Sequence, residues 1–477
     1  MIELDRFYID GKWRTAQSAA RHTLVNASTE EAYGSVALGD ERDTRAAVAA
    51  ARAAFPAWAA TDPATRIAFI ERMREIHLDR TDEMASAISR EMGAPIDLAR
   101  KSQAAAGPRH MTNFLNAMRG FDFIRPLGDH APSDRLSWEP IGVAALITPW
   151  NWPISQIALK VVAALLAGCT VVLKPSEFAP LSATVFANIV DAAGLPPGVF
   201  NLVHGDGMGV GTWLSTHPDV DMVSFTGSTR AGIAVSKSAA DTLKRVALEL
   251  GGKGANLIFA DADDMAVERG VRQCFNNSGQ SCNAPTRMLV ERPVYERAVE
   301  TAAAVARSIE VGPSDQPGPH IGPVISARQY ERIQSLIDRG VAEGARLVAG
   351  GPGRAPGFNR GYFVQPTVFA DVSNDMTIAR EEVFGPVLSI IPFETEDEAV
   401  RIANDTPYGL TNYVQSGSVE RRQRLARRLH SGMVEMNGQP RGAGSPFGGV
   451  KGSGRAREGG RFGIEEFMDS KAISGWI

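Results

Sequence analysis

The chain has 477 residues, a net charge of −4, and side chains that are 44% apolar and 22% charged. That balance is ordinary for a globular protein with a large core; it excludes a disordered or fibrous chain and gives no electrostatic case for nucleic acid or an anionic membrane as partner. At about 150 residues per domain, the length predicts roughly three domains. Cys169, Cys274 and Cys282 make neither a disulfide framework nor a metal pattern, and the eight histidines are scattered, so a reducing compartment and no protein-built metal site are expected.

Residues 1–40 read as short strands and turns, with a hairpin signal at Asp10-Gly11, and carry no signal-peptide core. Helical periodicity covers 43–92 in three runs, closed by Gly93 and Pro95, and predicts one further helix over 96–118. Residues 121–139 read as an arm or hairpin. The apolar stretch 141–173 is interrupted by Pro149, Asn151, Pro153, Gln156 and Lys160, so no membrane span is expected and the protein reads as soluble and cytoplasmic.

From Gly142 short β-rich runs alternate with helices up to Leu248, which predicts a parallel sheet covered on both faces. In such sheets ligands bind at the carboxyl ends of the strands, where Thr148-Pro149-Trp150-Asn151, Lys174-Pro175-Ser176-Glu177 and Thr226-Gly227-Ser228 fall. A second alternating region begins near Ala255, with strands expected at 256–259, 287–290, 346–349, 387–393 and 411–414. The tail 463–477 reads as a turn and a strand. With 121–139 it forms either an outlying sheet between subunits or a local hairpin.

Within the second region, a helix over 264–277 runs into a Gly-containing polar loop that delivers Cys282. Thiolate is the nucleophilic form of cysteine, and a loop rich in N–H groups and amides is expected to lower the thiol pKa or stabilise what the thiolate makes. The alternative is a small buried hydrophobe. The turn at Gly227-Ser228 entering a helix is either an anion site or a plain tight turn. Lys174 and Glu177 are either a ribose-binding pair or a solvated surface pair.

Seven motifs lie in order along the chain: Thr148-Pro-Trp-Asn-Trp-Pro153, Lys174-Pro-Ser-Glu177, Phe225-Thr-Gly-Ser228, Glu249-Leu-Gly-Gly252, Ser278-Gly-Gln-Ser-Cys282, Glu381-Glu-Val-Phe-Gly-Pro386 and Pro446-Phe-Gly-Gly-Val-Lys-Gly-Ser-Gly454. With this set the chain closely resembles the aldehyde dehydrogenase superfamily, of the NAD-dependent, hydrolytic type, over essentially its whole length. The resemblance implies an α/β fold: a Rossmann-like NAD-binding domain (1–120 and 141–250), a second α/β catalytic domain (251–455), and a small β oligomerisation arm with the tail (121–140 and 456–477). A homodimer or homotetramer is implied with it.

By resemblance, Cys282 is the nucleophile, Asn151 and the Cys282 N–H hold the oxyanion, and Glu249 activates water against the thioester. Lys174, Glu177 and Ser228 hold the adenosine and pyrophosphate side of NAD, and Glu382 and Phe384 the nicotinamide side. Thr148, Pro149, Trp150, Ser176, Gly227, Leu250 and Gly251 complete the cofactor contacts. Glu177 favours NAD over NADP, and Glu249 favours water over coenzyme A. Glu458 is either a second proton carrier or a carboxylate capping a helix start.

The resemblance lines the substrate pocket with Trp152, Gln156, Leu159, Ser281, Asn283, Arg441 and Phe447. An aliphatic or aromatic aldehyde is implied, and Leu159, standing where choline-type relatives have an aromatic, disfavours a quaternary ammonium. Arg441 is either a surface or subunit-contact residue or the partner of a distal carboxylate on an ω-oxo acid. Two other classes stay open: a coenzyme A-acylating semialdehyde dehydrogenase, and a non-catalytic protein on the same fold. A papain-like reading of Gln280-Ser-Cys282 fails on spacing.

Overall fold

The computed structural model describes residues 1–477 and contains two seven-stranded sheets and two three-stranded ones. In the first large sheet the strands lie in the order Arg245–Glu249, Met222–Thr226, Val143–Thr148, Thr170–Pro175, Phe200–Leu202, Arg6–Ile9, Lys12–Thr15. The first five run parallel, and the N-terminal hairpin closes the edge antiparallel. Strand order reverses between Val143–Thr148 and Met222–Thr226, so Thr148 and Thr226 flank the crevice where such sheets bind ligands.

The strands Val143–Thr148 and Thr170–Pro175 and the helix between them, Pro153–Ala167, are buried almost throughout. This explains why the stretch looks apolar enough for a membrane: it is a parallel strand pair with a core helix. Pro153 starts the helix at its first turn, where a missing N–H costs nothing, and Gly168 ends it with φ 100°. No helix is long and apolar enough to cross a membrane.

The second large sheet has the order Arg346–Ala349, Thr367–Ala370, Val387–Phe393, Arg287–Glu291, Ala255–Ile258, Thr411–Gln415, Met433–Met436, antiparallel only at the first pair. Thr367–Ala370, Met433–Met436 and the helix Val419–Arg428 were not anticipated from the sequence. The fully buried Arg287 donates to the carbonyls of Lys253, Ile402 and Ala403 and to Asn374, and so ties the start of its strand to the neighbouring segments.

The helix expected over 96–118 is broken. A short turn, Ile96–Leu98, passes into a π-helical segment, Ala99–Ala104, before the α-helix Ala106–Met118. The buried ring of His77, pushed down to about 4 by burial and so neutral, bonds the carbonyl of Ala104 through Nε2 at 3.2 Å. Its ring also occupies the space a side chain at Gly107 would need. A side chain thus satisfies a carbonyl that the helical ladder leaves free.

The tail does contain a strand, Met468–Ile473, preceded by the helix Gly460–Glu465. The strand pairs antiparallel with Arg135–Pro140 of the same chain, with Ile124–Pro126 on the far side.

Candidate active site

The nucleophile loop lies at the amino end of the second sheet. Cys282 precedes Arg287–Glu291, Gly252 precedes Ala255–Ile258, and Glu382 and Phe384 precede Val387–Phe393, three neighbouring strands. These segments face the carboxyl end of the first sheet, from which Asn151 and Glu249 come. The close approach is enforced by glycine: a side chain at Gly252 would meet the carbonyl of Cys282, and one at Gly251 the carboxylate of Glu382.

The loop is over-determined. After the helix Ala266–Phe275, Asn277 and Ser278 stand consecutively in the left-handed region with φ 54° and 57°. For non-glycine residues this costs about 1–2 kcal/mol each. Ser278 Oγ donates to Gly322 O at 2.7 Å, and Gln280 Oε1 accepts from Ile325 N at 3.0 Å. The Asn151 side-chain amide donates to Gln280 O at 3.1 Å, which joins the two loops.

Cys282 is half-buried and opens into a cavity of about 540 Å³. The thiol is pushed up, by burial first and then by Glu382, Glu249 and Glu458, while its own backbone N–H pulls it down. Of the two roles expected for the loop, lowering the thiol is outweighed by burial and three carboxylates, and stabilising what the thiolate makes is the one left to its amides. Cys169 and Cys274 are fully buried, and burial pushes both up to about 12, which leaves them inert.

Glu249, the last residue of its strand, is 2% exposed, and neither carboxylate oxygen has a hydrogen-bond partner. Burial, then the neighbouring Glu458, raises its pKa well above the carboxylate range. Glu458 forms a buried ion pair with Lys160, whose Nζ also donates to Ser224 Oγ at 3.2 Å. Glu458 does not cap a helix. The following helix starts at Gly460 with no side-chain cap, and the Glu458 backbone instead exchanges two 2.7 Å hydrogen bonds with Phe447.

The cavity that Cys282 opens into brings together Trp152, Gln156 and Leu159 from the helix Pro153–Ala167 and its start, Ser281 and Asn283 beside the cysteine, and Arg441 and Phe447 from the C-terminal segment. Trp152 Nε1 donates to Ser281 Oγ at 2.8 Å, which sets the wall next to the sulfur. Arg441 lies over the Phe447 ring at 4.7 Å and bonds Glu435 Oε1 at 3.0 Å. Arg109, His110 and Ser155 also line the cavity and were not singled out from the sequence. They lie on helix faces that only the packing of Ala106–Met118 against Pro153–Ala167 turns toward Cys282.

On the other side, the hydroxyls of Thr148 and Thr226 are buried without partners at the strand-order reversal. Lys174 is buried, its Nζ donating to Gly205 O at 2.6 Å and Pro175 O at 2.9 Å and standing 3.8 Å from Glu177. It is therefore not half of a solvated surface pair. Ser176, also buried, accepts from Phe178 N. Ser228 caps the helix Thr229–Ala239, with Gly227 in the turn before it, and Leu250 packs where a side chain at Gly232 would go. Glu382, pushed up to about 7 by burial, accepts from Gly252 N at 2.8 Å. Phe384 stands edge-on to Trp150, beyond Pro149, at 5.4 Å. Orphaned hydroxyls, a capped helix N-terminus and a rim carboxylate are a donor and acceptor set that fits a dinucleotide.

Residues 13–473 match the model of the aldehyde dehydrogenase family. The chain belongs to that family. It is 50% identical, over 100% of its length and 99% of the relative's, to a 3-succinoylsemialdehyde-pyridine dehydrogenase of a Pseudomonas species. An aldehyde dehydrogenase crystal structure from Bartonella henselae superposes with a TM-score of 0.98 at 57% identity, covering 99% of this chain and 100% of that one. A mutant of aldehyde dehydrogenase C from Pseudomonas syringae, solved with NAD+ and octanal, gives 0.97 at 47%, covering 99% and 97%. The protein is an NAD-dependent aldehyde oxidoreductase.

The Lys160–Glu458 pair has a measurable signature. Lys160→Met leaves a buried carboxylate without its cation and is expected to cost about 3–5 kcal/mol, whereas Lys160→Met with Glu458→Leu recovers most of it. Urea midpoints of the two variants against wild type check this.

Proposed function

We propose that this aldehyde dehydrogenase is hydrolytic and works through a covalent intermediate on Cys282. The observation that carries the reading is a cysteine in the wall of a substrate-sized cavity together with a buried, unpartnered carboxylate, Glu249, whose charge bears on the thiol. The Cys282 thiolate adds to the aldehyde carbon and forms a C–S bond, and the carbonyl oxygen becomes an oxyanion. The Asn151 amide, already oriented by Gln280 O, and the Cys282 N–H supply donors where that charge develops. NAD, when bound, supplies the hydride acceptor.

Loss of hydride with its electron pair leaves a thioester. Water then attacks the acyl carbon, Glu249 takes its proton, and the thiolate departs as the acid is released. Glu458 and Lys160 offer that proton a buried way onward. Lys174, Glu177, Ser176 and Ser228 hold the adenosine side, with Glu177 selecting NAD over NADP. Glu382 and Phe384, with Thr148, Pro149, Trp150, Leu250 and Gly251, hold the nicotinamide side. A second copy of the chain is the expected partner, and the exposed Trp476 and Ile477 beside the three-stranded sheet support that reading.

For the substrate we favour an extended aldehyde ending in a hydrogen-bond acceptor. The cavity wall carries Arg109, Arg441 and a His110 ring bonded to Ser155 at 3.0 Å, and the relative from Pseudomonas is named for a substrate whose aldehyde lies at the end of a chain bearing a pyridine. Arg441 is partly neutralised by Glu435 and keeps donors for a carboxylate or a carbonyl.

The decisive measurement is NADH formation without coenzyme A. Turnover by wild type, none by Cys282→Ala, and a single NADH per site without turnover in Glu249→Gln are expected; a strict need for coenzyme A removes the hydrolytic reading. Since Glu249 and Cys282 are both pushed up, the reactive anions grow as pH rises. Turnover is therefore expected to climb through neutral pH and not to level off near pH 4–5, and a flat profile from pH 5 to 9 contradicts Glu249 as base. Arg441→Ala is expected to lose about tenfold or more in kcat/KM on an ω-oxo acid relative to an uncharged aldehyde of equal length. Equal losses on both remove the carboxylate role.

A further inference from the structure

One buried amide outside both the cavity and the cofactor side is tied to the nucleophile loop. Gln103 is fully buried near the end of the π-helical segment Ala99–Ala104, a geometry that occurs mostly as single turns and often at functional sites. Its Nε2 donates to Asn277 Oδ1 at 3.1 Å and to Met92 Sδ at 3.2 Å. Asn277 Nδ2 in turn donates to Asn151 O at 3.0 Å and to Gln280 O at 3.3 Å. Gln280 O also accepts from Asn151 Nδ2, which closes a ring through both the backbone and the side chain of Asn151.

The polarity of this ring follows from its ends. Two backbone carbonyls only accept, so Asn277 presents its NH₂ to them and its oxygen to Gln103, and Gln103 must present its own NH₂. One proton of the Asn151 amide is committed to Gln280 O. The other is left in a direction set by the ring, since rotating the amide breaks the first bond. Asn277 holds its left-handed φ of 54°, a conformation Asn tolerates better than most residues, with Gln103 gripping its side chain from behind.

We propose that Gln103 and Asn277 are positioning residues for the oxyanion donor: acting through Asn151, they aim its free amide proton at the oxygen that turns negative when Cys282 adds to the aldehyde. The proposal rests on the reading of Asn151 given above. Preorganised donors are worth most when they need not reorient during reaction, and a misplacement of about 1 Å can cost about 10²-fold. Gln103 reaches the nucleophile loop from the π-helical segment, whose last carbonyl, that of Ala104, is bonded by His77.

The test is a double-mutant cycle on the single-turnover rate of NADH appearance. Gln103→Leu is expected to lower that rate about tenfold in the otherwise wild-type enzyme, with NAD affinity changed less than twofold, and to have no further effect in an Asn151→Ala background. Asn277→Ser runs the same cycle and replaces Gln103→Leu should that variant not fold. An equal fold-loss in both backgrounds overturns the proposal, as does a lowered Tm with the rate unchanged, because a merely structural role acts whether or not the Asn151 amide is there. Asn151→Ala alone is expected to cost about 10²–10³-fold. A silent Asn151→Ala variant sinks the oxyanion reading itself, and that failure is visible without any change at Gln103.

Discussion

Burial of ionisable groups at a seam between two sheets is the constraint on which the rest of this structure depends. Glu249 and Asn151 come from the carboxyl end of the first sheet, and Cys282 and Glu382 from the amino end of the second. Where the ends meet, water is scarce and each charge is felt strongly by its neighbours. The thiol and two carboxyl groups are all pushed toward their neutral forms, and Lys160 paired with Glu458, Arg457 near Glu249 and Lys253 near Glu382 keep the cluster from being uniformly acidic. An arrangement of this kind costs stability, and the molecule offsets it with a large apolar core and with ties such as those of Arg287.

Much of the fold was legible because parallel strands and the helices covering them write long, strongly patterned runs. Arg287–Glu291, Val387–Phe393 and Thr411–Gln415 stand within a residue of the expected 287–290, 387–393 and 411–414. Thr367–Ala370 and Met433–Met436 were not legible, although they are no shorter than the expected Arg346–Ala349. The π-helical break was missed as well. Pro108, which has no N–H to give the carbonyl of Ala104 four residues earlier, is the local sign of it, while the ring of His77 that takes up that carbonyl lies 27 positions away along the chain.

The candidate site divides along the same line. Residues in ordered motifs could be named from the chain alone, and seven side chains assigned to the pocket by resemblance do converge on one cavity with Cys282. Arg109 and His110 could not, because they sit in an unremarkable amphipathic helix whose facing is decided by packing. Nor could the electrostatics be read. The Gly- and amide-rich loop argues for an acidified thiol until the carboxylates of Glu249, Glu382 and Glu458, from three distant stretches of sequence, are seen beside it.

The wall opposite the nucleophile is built unlike the rest of the cavity. Residues 441–445 belong to neither sheet and run through three glycines or alanines, whereas the segment ends at Phe447, whose backbone is bonded to that of Glu458. Exchanging side chains before Phe447 alters what the far end of an aldehyde meets, but the backbone that carries them is held: a side chain at Gly460 would strike the carbonyl of Gly444, and one at Gly459 would crowd that of Ser445. At Phe447 the tie passes to Glu458 itself and, through its carboxylate, to Lys160. Specificity and chemistry thus share one short segment, whose side chains face the substrate and whose backbone is fixed against the residues flanking Glu458.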